Sequence, residues 1–195
     1  MPVVDDILAG VIAAIALAGG GAFLYLRGGR IGMAWRNAAD QLGLTYGEKG
    51  RCGPRSLRGQ LGECEVFVDT DVDRHVEEIT SSTCYELRYP KTGFEFRLQH
   101  SRGFRRVAGL FDSRRVAMGV NEFDRSVIVK ALGVRNIRAY LPPRRQAAVA
   151  ELMRVCPGAV VENGRVSWRA GNETTSTARL ETVLGHMTSF VVRMG

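Results

Sequence analysis

The sequence contains little lysine, histidine or cysteine, and each shortage excludes a class of site. Only three of its 27 basic residues are lysine, so arginine supplies almost all of the positive charge. The four cysteines form no C-x-x-C pair, and none of the three histidines has a second metal-binding residue at helical spacing, which argues against a structural metal site. Scattered cysteines without a dense disulfide framework favour a reducing compartment.

Motifs that would indicate catalysis are also missing. Neither G-x-x-x-x-G-K-[ST] nor G-x-G-x-x-G occurs, so nucleotide binding through those loops is unsupported. His100-Ser101 lacks the G-x-S-x-G elbow and the oriented carboxylate of a hydrolase. The alternating aspartates of Asp69–Asp73 resemble calcium ligands, but Arg74 and Thr80 stand where an EF-hand loop needs glycine and glutamate. We therefore predict no catalytic, cofactor-binding or metal site, and no cofactor.

One long hydrophobic run contrasts with this composition. Ile7 to Leu26 is 20 residues without a charge, and a helix of that length covers the ~30 Å hydrocarbon core of a bilayer. We predict a transmembrane helix at 7–26, preceded by a short extracytoplasmic N-terminus at 1–6. A cleaved signal peptide is the alternative, because Ala16-Leu-Ala18 resembles a cleavage site, but acidic residues precede the run where a secretory signal has basic ones.

Charges on the two sides of the run predict its orientation. Asp5 and Asp6 precede it, whereas Arg27, Arg30 and Arg36 follow it closely. The positive-inside rule then places the N-terminus outside and the C-terminal domain in the cytoplasm. The sequence thus predicts a single-pass, signal-anchored protein of the inner membrane.

Small residues repeat every four positions along one face of the run, at Gly10, Ala14, Ala18 and Ala22. This small-xxx-small pattern lets two membrane helices approach closely. It favours another membrane protein or a second copy of the chain as the partner. Alanine and glycine are also common in any such helix, which is the alternative explanation.

The rest of the chain has the pattern of one α+β domain. We predict a juxtamembrane amphipathic helix at 27–43 and a single soluble domain at 44–195, with a last helix capped by Ser176 or Thr177. Thr83 to Tyr89 alternates apolar and polar residues, which is typical of an antiparallel sheet with one solvated face. The fold class is therefore α+β, an N-terminal transmembrane helix followed by an antiparallel-sheet domain with packed helices.

Turn residues divide this domain. Gly62-Glu63 and Asn163-Gly164 indicate two-residue hairpins, the second a type I′ turn with positive φ at both positions. We expect Asp69 to Ser82 to be a polar loop between strands and Arg144 to Val155 to be a helix. Phe123-Asp124 is expected to be structural, as an aromatic plug beside a carboxylate that satisfies turn amides.

The order of these elements also carries a resemblance. A tryptophan-containing helix ends in Leu42-Gly-Leu44, a hairpin contains Leu57-Arg-Gly59, Glu122-Phe-Asp-Arg125 leads into a strand, and Val161-Glu-Asn-Gly-Arg-Val166 forms a hairpin before the final amphipathic helix. In these features the soluble part resembles a group of uncharacterised bacterial single-span membrane-anchored proteins. The resemblance implies a fold and a membrane context, and it brings no activity and no catalytic residue.

The basic residues are the remaining functional signal, because the part after Leu26 carries a net charge of +9. Candidate contacts with anionic lipid headgroups are Arg27, Arg30, Arg36, Arg102, Arg105 and Arg106. Nucleic acid is the less favoured partner, since a tethered basic domain already faces anionic lipid. We expect a non-enzymatic, membrane-anchored accessory or scaffolding protein whose basic cytoplasmic domain binds a protein partner or the anionic membrane surface. A small-ligand sensor tethered to the membrane is the alternative, and an enzyme comes third.

Overall fold

The computed structural model of the protein describes residues 28–50, 53–75, 78–101 and 115–195. Within these ranges the chain forms eight strands and five helices. In chain order they are α1 (28–42), β1 (Thr45–Glu48), β2 (Arg55–Leu61), β3 (Cys64–His75), β4 (Glu78–Arg88), β5 (Phe96–His100), α2 (Asn121–Ser126), β6 (Val127–Ala131), α3 (Val134–Tyr140), α4 (Pro143–Val155), β7 (Val160–Glu162), β8 (Arg165–Ala170) and α5 (Thr177–Met194).

All eight strands form one antiparallel sheet with the spatial order β1-β2-β3-β4-β8-β7-β5-β6. Strands β1 to β4 follow one another along the chain, whereas the late β7–β8 hairpin lies between β4 and β5. Residues distant in sequence therefore become neighbours in the middle of the sheet. The predicted α+β class and antiparallel sheet are confirmed.

One face of the sheet packs against the helices and forms the hydrophobic core. Because side chains alternate along a strand, Leu57, Val66, Leu87 and Leu98 all point to this face, and all are fully buried. Helix α5 contributes the apolar stripe that its i, i+3, i+4 spacing predicts: Leu180, Val183, Leu184, Met187, Phe190, Val191 and Met194 are all buried. The opposite face of the sheet carries the remaining, solvent-facing side chains of each strand.

A buried polar cluster ties the start of α1 to the sheet. The Arg55 side chain is only 4% exposed, and its guanidinium donates to Glu173 Oε1 at 2.6 Å and to the Gly28 carbonyl oxygen at 3.1 Å. A second carboxylate, that of Glu48, lies 3.4 Å from Arg55 Nε. An arginine at this depth needs its charge balanced, so the two carboxylates hold β1, β2, α1 and the segment before α5 together.

The predicted loop from Asp69 to Ser82 is wrong, because β3 and β4 pair continuously across it as far as His75 and Glu78. Asp69 is half-buried and Asp71 is exposed on the face of β3 that points away from the core, while Thr70 between them is buried on the core face. Carboxylates at every second residue are thus the polar half of a strand with a period of two.

Other local predictions are confirmed. Gly62 has a φ of 61° in the β2–β3 hairpin, and the predicted helix from Arg144 to Val155 is α4. Ser176 caps α5, since its hydroxyl accepts a hydrogen bond from the N–H of Arg179.

The Phe123-Asp124 pair has the structural role that the sequence predicts. Asp124 accepts hydrogen bonds from the backbone N–H groups of Met118 and Gly119, both at 2.9 Å, and Phe123 is buried. Both residues lie in the short helix α2, directly before β6. The carboxylate therefore fixes the turn that leads the chain into the edge of the sheet.

The predicted transmembrane helix and the localisation derived from it need correction. No helix in the described residues is both long and apolar enough to cross a bilayer. The segment expected to do so, Ile7 to Leu26, lies outside the described residues, together with its small-residue face Gly10, Ala14, Ala18 and Ala22. We therefore remove the transmembrane helix from the fold class and withdraw the single-pass inner-membrane localisation.

Candidate functional site

The face of the sheet opposite the helices carries side chains that are exposed or half-buried, and all but one of those named next are polar or charged. They include Arg58 of β2, Phe67 and Asp69 of β3, Glu86 and Arg88 of β4, Arg165, Ser167 and Arg169 of β8, Glu162 of β7, Arg97 and Gln99 of β5, and Lys130 of β6. We call this surface the open face. Its residues occupy every second position of each strand, and the buried core residues occupy the positions between them.

Strand register aligns charged residues in one row across the open face. Arg88 lies opposite Arg165, Arg165 opposite Glu162, Glu162 opposite Arg97, and Arg97 opposite Lys130. We call these five residues the charged row. Because neighbouring strands lie ~4.8 Å apart, the charged row extends about 19 Å across five strands.

Two glutamates bridge the arginines of the charged row. Glu162 contacts both Arg165 and Arg97, the latter at 3.2 Å between Oε1 and Nη1. Glu86 lies 2.7 Å from Arg88 Nε and 3.8 Å from Arg165 Nη1. The hydrogen bond from Arg165 to Glu162 is the main reason why the pKa of Arg165 is raised above its usual value. Three guanidinium groups thus alternate with two carboxylates, and positive charge is in excess.

A groove of about 950 Å³ lies over the charged row. Its described lining has five cationic side chains and two acidic ones, a net charge of +3: Arg88, Lys91, Arg97, Lys130 and Arg165 against Glu95 and Glu162. Like charges concentrated in a cleft raise the local concentration of oppositely charged ligands. The groove is therefore electrostatically suited to an anion.

The β7–β8 turn lines the groove, and it differs from the predicted type I′ turn. Only Gly164 has a positive φ, at 77°, whereas Asn163 does not. Asn163 Oδ1 instead accepts hydrogen bonds from the Thr92 N–H at 2.6 Å and from the Thr92 hydroxyl at 2.8 Å. The Gly164 carbonyl oxygen accepts the Tyr89 N–H at 3.0 Å. These bonds to the segment after β4 hold the turn in this alternative geometry.

Apolar side chains border the groove beside β6. Leu132 directly follows β6, lines the groove and is 51% exposed. Phe96, which also lines the groove, packs against Phe94 and Tyr140 with ring centroids 5.6 Å and 5.1 Å away. The groove thus combines a cationic floor with an apolar edge, at which Leu132 is exposed and Phe96 is buried.

A smaller hollow of about 480 Å³ continues the groove toward β2 and shares Arg88 and Val160 with it. In this hollow Phe67 lies between two guanidinium groups, with Arg58 Cζ 5.1 Å and Arg88 Cζ 4.4 Å from its ring centroid. Cation–π contacts of this kind restrain the arginine side chains. Arg88 is therefore held in place at the junction of the two hollows.

The functional groups of the groove suit binding better than proton transfer. A guanidinium group remains charged at physiological pH and donates up to five hydrogen bonds in a planar fork that matches carboxylate or phosphate. No cluster of three or more histidine, cysteine, aspartate or glutamate side chains that could hold a metal occurs in the described ranges.

Two of the six sequence-predicted contact residues belong to the described part of the chain, and both lie away from the groove. Arg30 and Arg36 are exposed on α1, on the helical side of the sheet, and Arg36 bonds Glu48 at 3.2 Å and lies 5.2 Å from the Tyr46 ring centroid. The other four, Arg27, Arg102, Arg105 and Arg106, are not among the described residues. Neither of the two predicted contacts that the structure describes, Arg30 and Arg36, lines the groove.

Sequence reasoning missed the charged row because each of its five members lies in a different strand. Arg97 and Arg165 are 68 positions apart, yet both contact Glu162. An isolated arginine in an alternating strand indicates only a solvated position. The one signal available was the alternation itself. It predicted a polar face for each strand, but not the order in which the strands lie side by side in the sheet.

Comparisons with known proteins add a fold relationship. No protein-family model and no curated protein matches the sequence. Among solved structures, the chain is similar to the crystal structure of the mycobacterial trehalose monomycolate transport factor A, TtfA. The TM-score is 0.51 at 14% sequence identity, and the match covers 84% of this chain and 94% of the other. At this identity the likeness shows a shared fold.

Proposed function

We propose that this chain is a non-enzymatic accessory protein that acts by binding a partner protein on the open face of its sheet. The observation that carries the proposal is the groove of about 950 Å³ over the charged row. Its floor consists of positioned guanidinium groups, and its edge carries the exposed apolar side chain of Leu132. Protein interfaces combine such apolar contacts with arginine-rich polar ones.

The fold relationship agrees with an accessory role. TtfA, whose structure matches over 84% of this chain, is named as a transport factor. A fold alone does not determine a function, so the proposal rests on the groove and takes the relationship only as agreement.

A small-ligand-binding protein is the second candidate. Small-molecule sites commonly enclose roughly 300–1,000 Å³, and the groove volume falls in this range. Native mass spectrometry of the protein purified from its own cells separates the two candidates. A small molecule retained at constant stoichiometry favours the ligand-binding function, whereas a retained polypeptide favours the accessory function.

Site-specific photo-cross-linking tests the proposal directly. A benzophenone amino acid replaces Leu132, which is 51% exposed at the groove, in the full chain expressed in its own cells. Replacement of Val192, an apolar residue of α5 that is 74% exposed, is the matched control. We expect a discrete protein adduct from position 132 and none from position 192. Adducts only from position 192, or from neither position, would contradict partner binding at the groove.

A further inference from the structure

We infer that the segment which the groove accepts is an extended acidic stretch of the partner protein, lying along the charged row across the strands. The inference rests on the proposed function and adds the chemistry of the recognised segment. Three properties of the groove support it: the linear arrangement of its cations, the carboxylates that already occupy part of it, and its apolar edge.

The linear arrangement favours an elongated anion over a compact one. The charged row spans about 19 Å, because its residues lie on five successive strands. A single phosphate or carboxylate contacts one or two guanidinium groups and leaves the rest of the row unused. An extended peptide rises ~3.3 Å per residue, so about six residues span the charged row. Carboxylates at every second residue of such a peptide would all face it.

The chain's own glutamates show how carboxylates fit between these arginines. Glu162 bridges Arg97 and Arg165, and Glu86 bridges Arg165 and Arg88. Each guanidinium has more donors than these bridges use, since arginine carries five N–H groups. Carboxylates of a bound peptide can take up the remaining donors from above the sheet, in charge-assisted hydrogen bonds.

The apolar edge and the position of the aromatic rings favour a peptide over a nucleic acid strand. Leu132 lines the groove with Lys130 and offers exposed aliphatic surface on which an apolar side chain of a peptide can pack. Single-stranded nucleic acid binding relies on exposed aromatic faces on which successive bases stack. Phe96 is buried within its cluster, and two guanidinium groups already contact the ring of half-buried Phe67.

Fluorescence anisotropy with the full chain tests the inference. The probe is a labelled eight-residue peptide of alternating glutamate and serine, and the neutral reference replaces each glutamate by glutamine. We expect saturable binding of the acidic peptide that weakens as salt increases, and none of the neutral peptide. The double variant Arg97→Gln/Arg165→Gln should bind at least about tenfold more weakly, because two charge-assisted contacts are lost.

The control double variant is Arg154→Gln/Arg193→Gln, which removes the same charge from the helical side and should bind as the unaltered chain does. Glu162→Gln should bind more tightly, because it removes a carboxylate that competes for Arg97 and Arg165. Equal weakening in both double variants would overturn the inference by indicating net charge alone. An oligothymidine or inorganic polyphosphate that binds more tightly than the acidic peptide would overturn it in favour of a phosphate polymer.

Failure of the inference and failure of the proposed function give different results. A protein adduct at position 132 without acidic-peptide binding would support the partner-binding function and contradict the inference that the bound segment is acidic. If position 132 gives no protein adduct, the proposed partner-binding function is itself contradicted.

Discussion

Replacing Arg55 by leucine should strongly destabilise the protein. The Arg55 side chain is 4% exposed, and its removal leaves Glu173 and Glu48, which are 16% and 13% exposed, without their shared counter-ion. Removal of one partner from a buried ion pair typically costs ~3–5 kcal/mol. Arg36 still lies 3.2 Å from Glu48 and compensates part of the charge of Glu48. We therefore expect Arg55→Leu to lower the free energy of unfolding by about 3 kcal/mol.

Arg193→Leu is the matched control, because it makes the same chemical change in an exposed ion pair. Arg193 and Glu151 are 44% and 41% exposed, and surface pairs of this kind contribute ~0–1 kcal/mol. Urea unfolding of the full chain, followed by the fluorescence of buried Trp35 and Trp168, measures both variants. With a slope near 2 kcal/mol per molar, the midpoint of Arg55→Leu should fall by about 1.5 M.

A second variant shows whether the lost free energy comes from uncompensated carboxylates. Adding Glu173→Gln to Arg55→Leu should recover about 1 kcal/mol, because one unpaired charge is removed. If Arg55→Leu costs no more than Arg193→Leu, or if Glu173→Gln worsens it, the buried-charge reasoning is refuted.

Three further predictions concern the core, the groove wall and the turn before β6. Burial raises the pKa of Tyr85 from 10.0 to about 12, so the folded state keeps a proton that the unfolded chain loses. The stabilisation that Tyr85 contributes should therefore be complete below pH 10 and fall by about 2–3 kcal/mol up to pH 12, and the difference in urea unfolding between the unaltered chain and Tyr85→Phe measures this contribution. Gly164→Ala should cost about 1–2 kcal/mol in the same assay, since φ is 77° and a Cβ would lie 2.6 Å from Lys91 Cγ; an unchanged midpoint would contradict the strained turn. Asp124→Ala should cost about 1–2 kcal/mol through two lost amide hydrogen bonds, whereas exposed Glu122→Ala should be neutral, and equal midpoints would remove the turn-fixing role.

Local patterns in the sequence were sufficient to predict much of the fold. The alternation in Thr83 to Tyr89, the spacing in the last helix and Gly62 each depend on neighbours within a few residues, and the structure agrees with all three. The prediction failed at Asp69 to Ser82, where period-two carboxylates were interpreted as a loop. It also failed at Asn163, whose side chain bonds Thr92, 71 positions away. Tertiary contacts of this range override the local preference of an Asn-Gly turn.

The candidate site could not be predicted because it depends on strand order. The β7–β8 hairpin lies between β4 and β5, and this placement brings Arg165 and Glu162 between Arg88 and Arg97. No motif in the sequence specifies that insertion, since each charged residue reads as an ordinary solvent-facing strand position. The contact residues predicted from the sequence were instead arginines that lie close together along the chain. Proximity along the chain is the only proximity that a sequence shows.

The most direct test of the central claim is quantitative co-purification from the organism's own cells, using the tagged full chain and its two double variants. If the groove binds the partner, Arg97→Gln/Arg165→Gln should lose the co-purifying protein, while Arg154→Gln/Arg193→Gln should retain it at the level of the unaltered chain. Retention of the same partner by both double variants, with unchanged urea midpoints, would contradict the assignment of the groove as the binding surface.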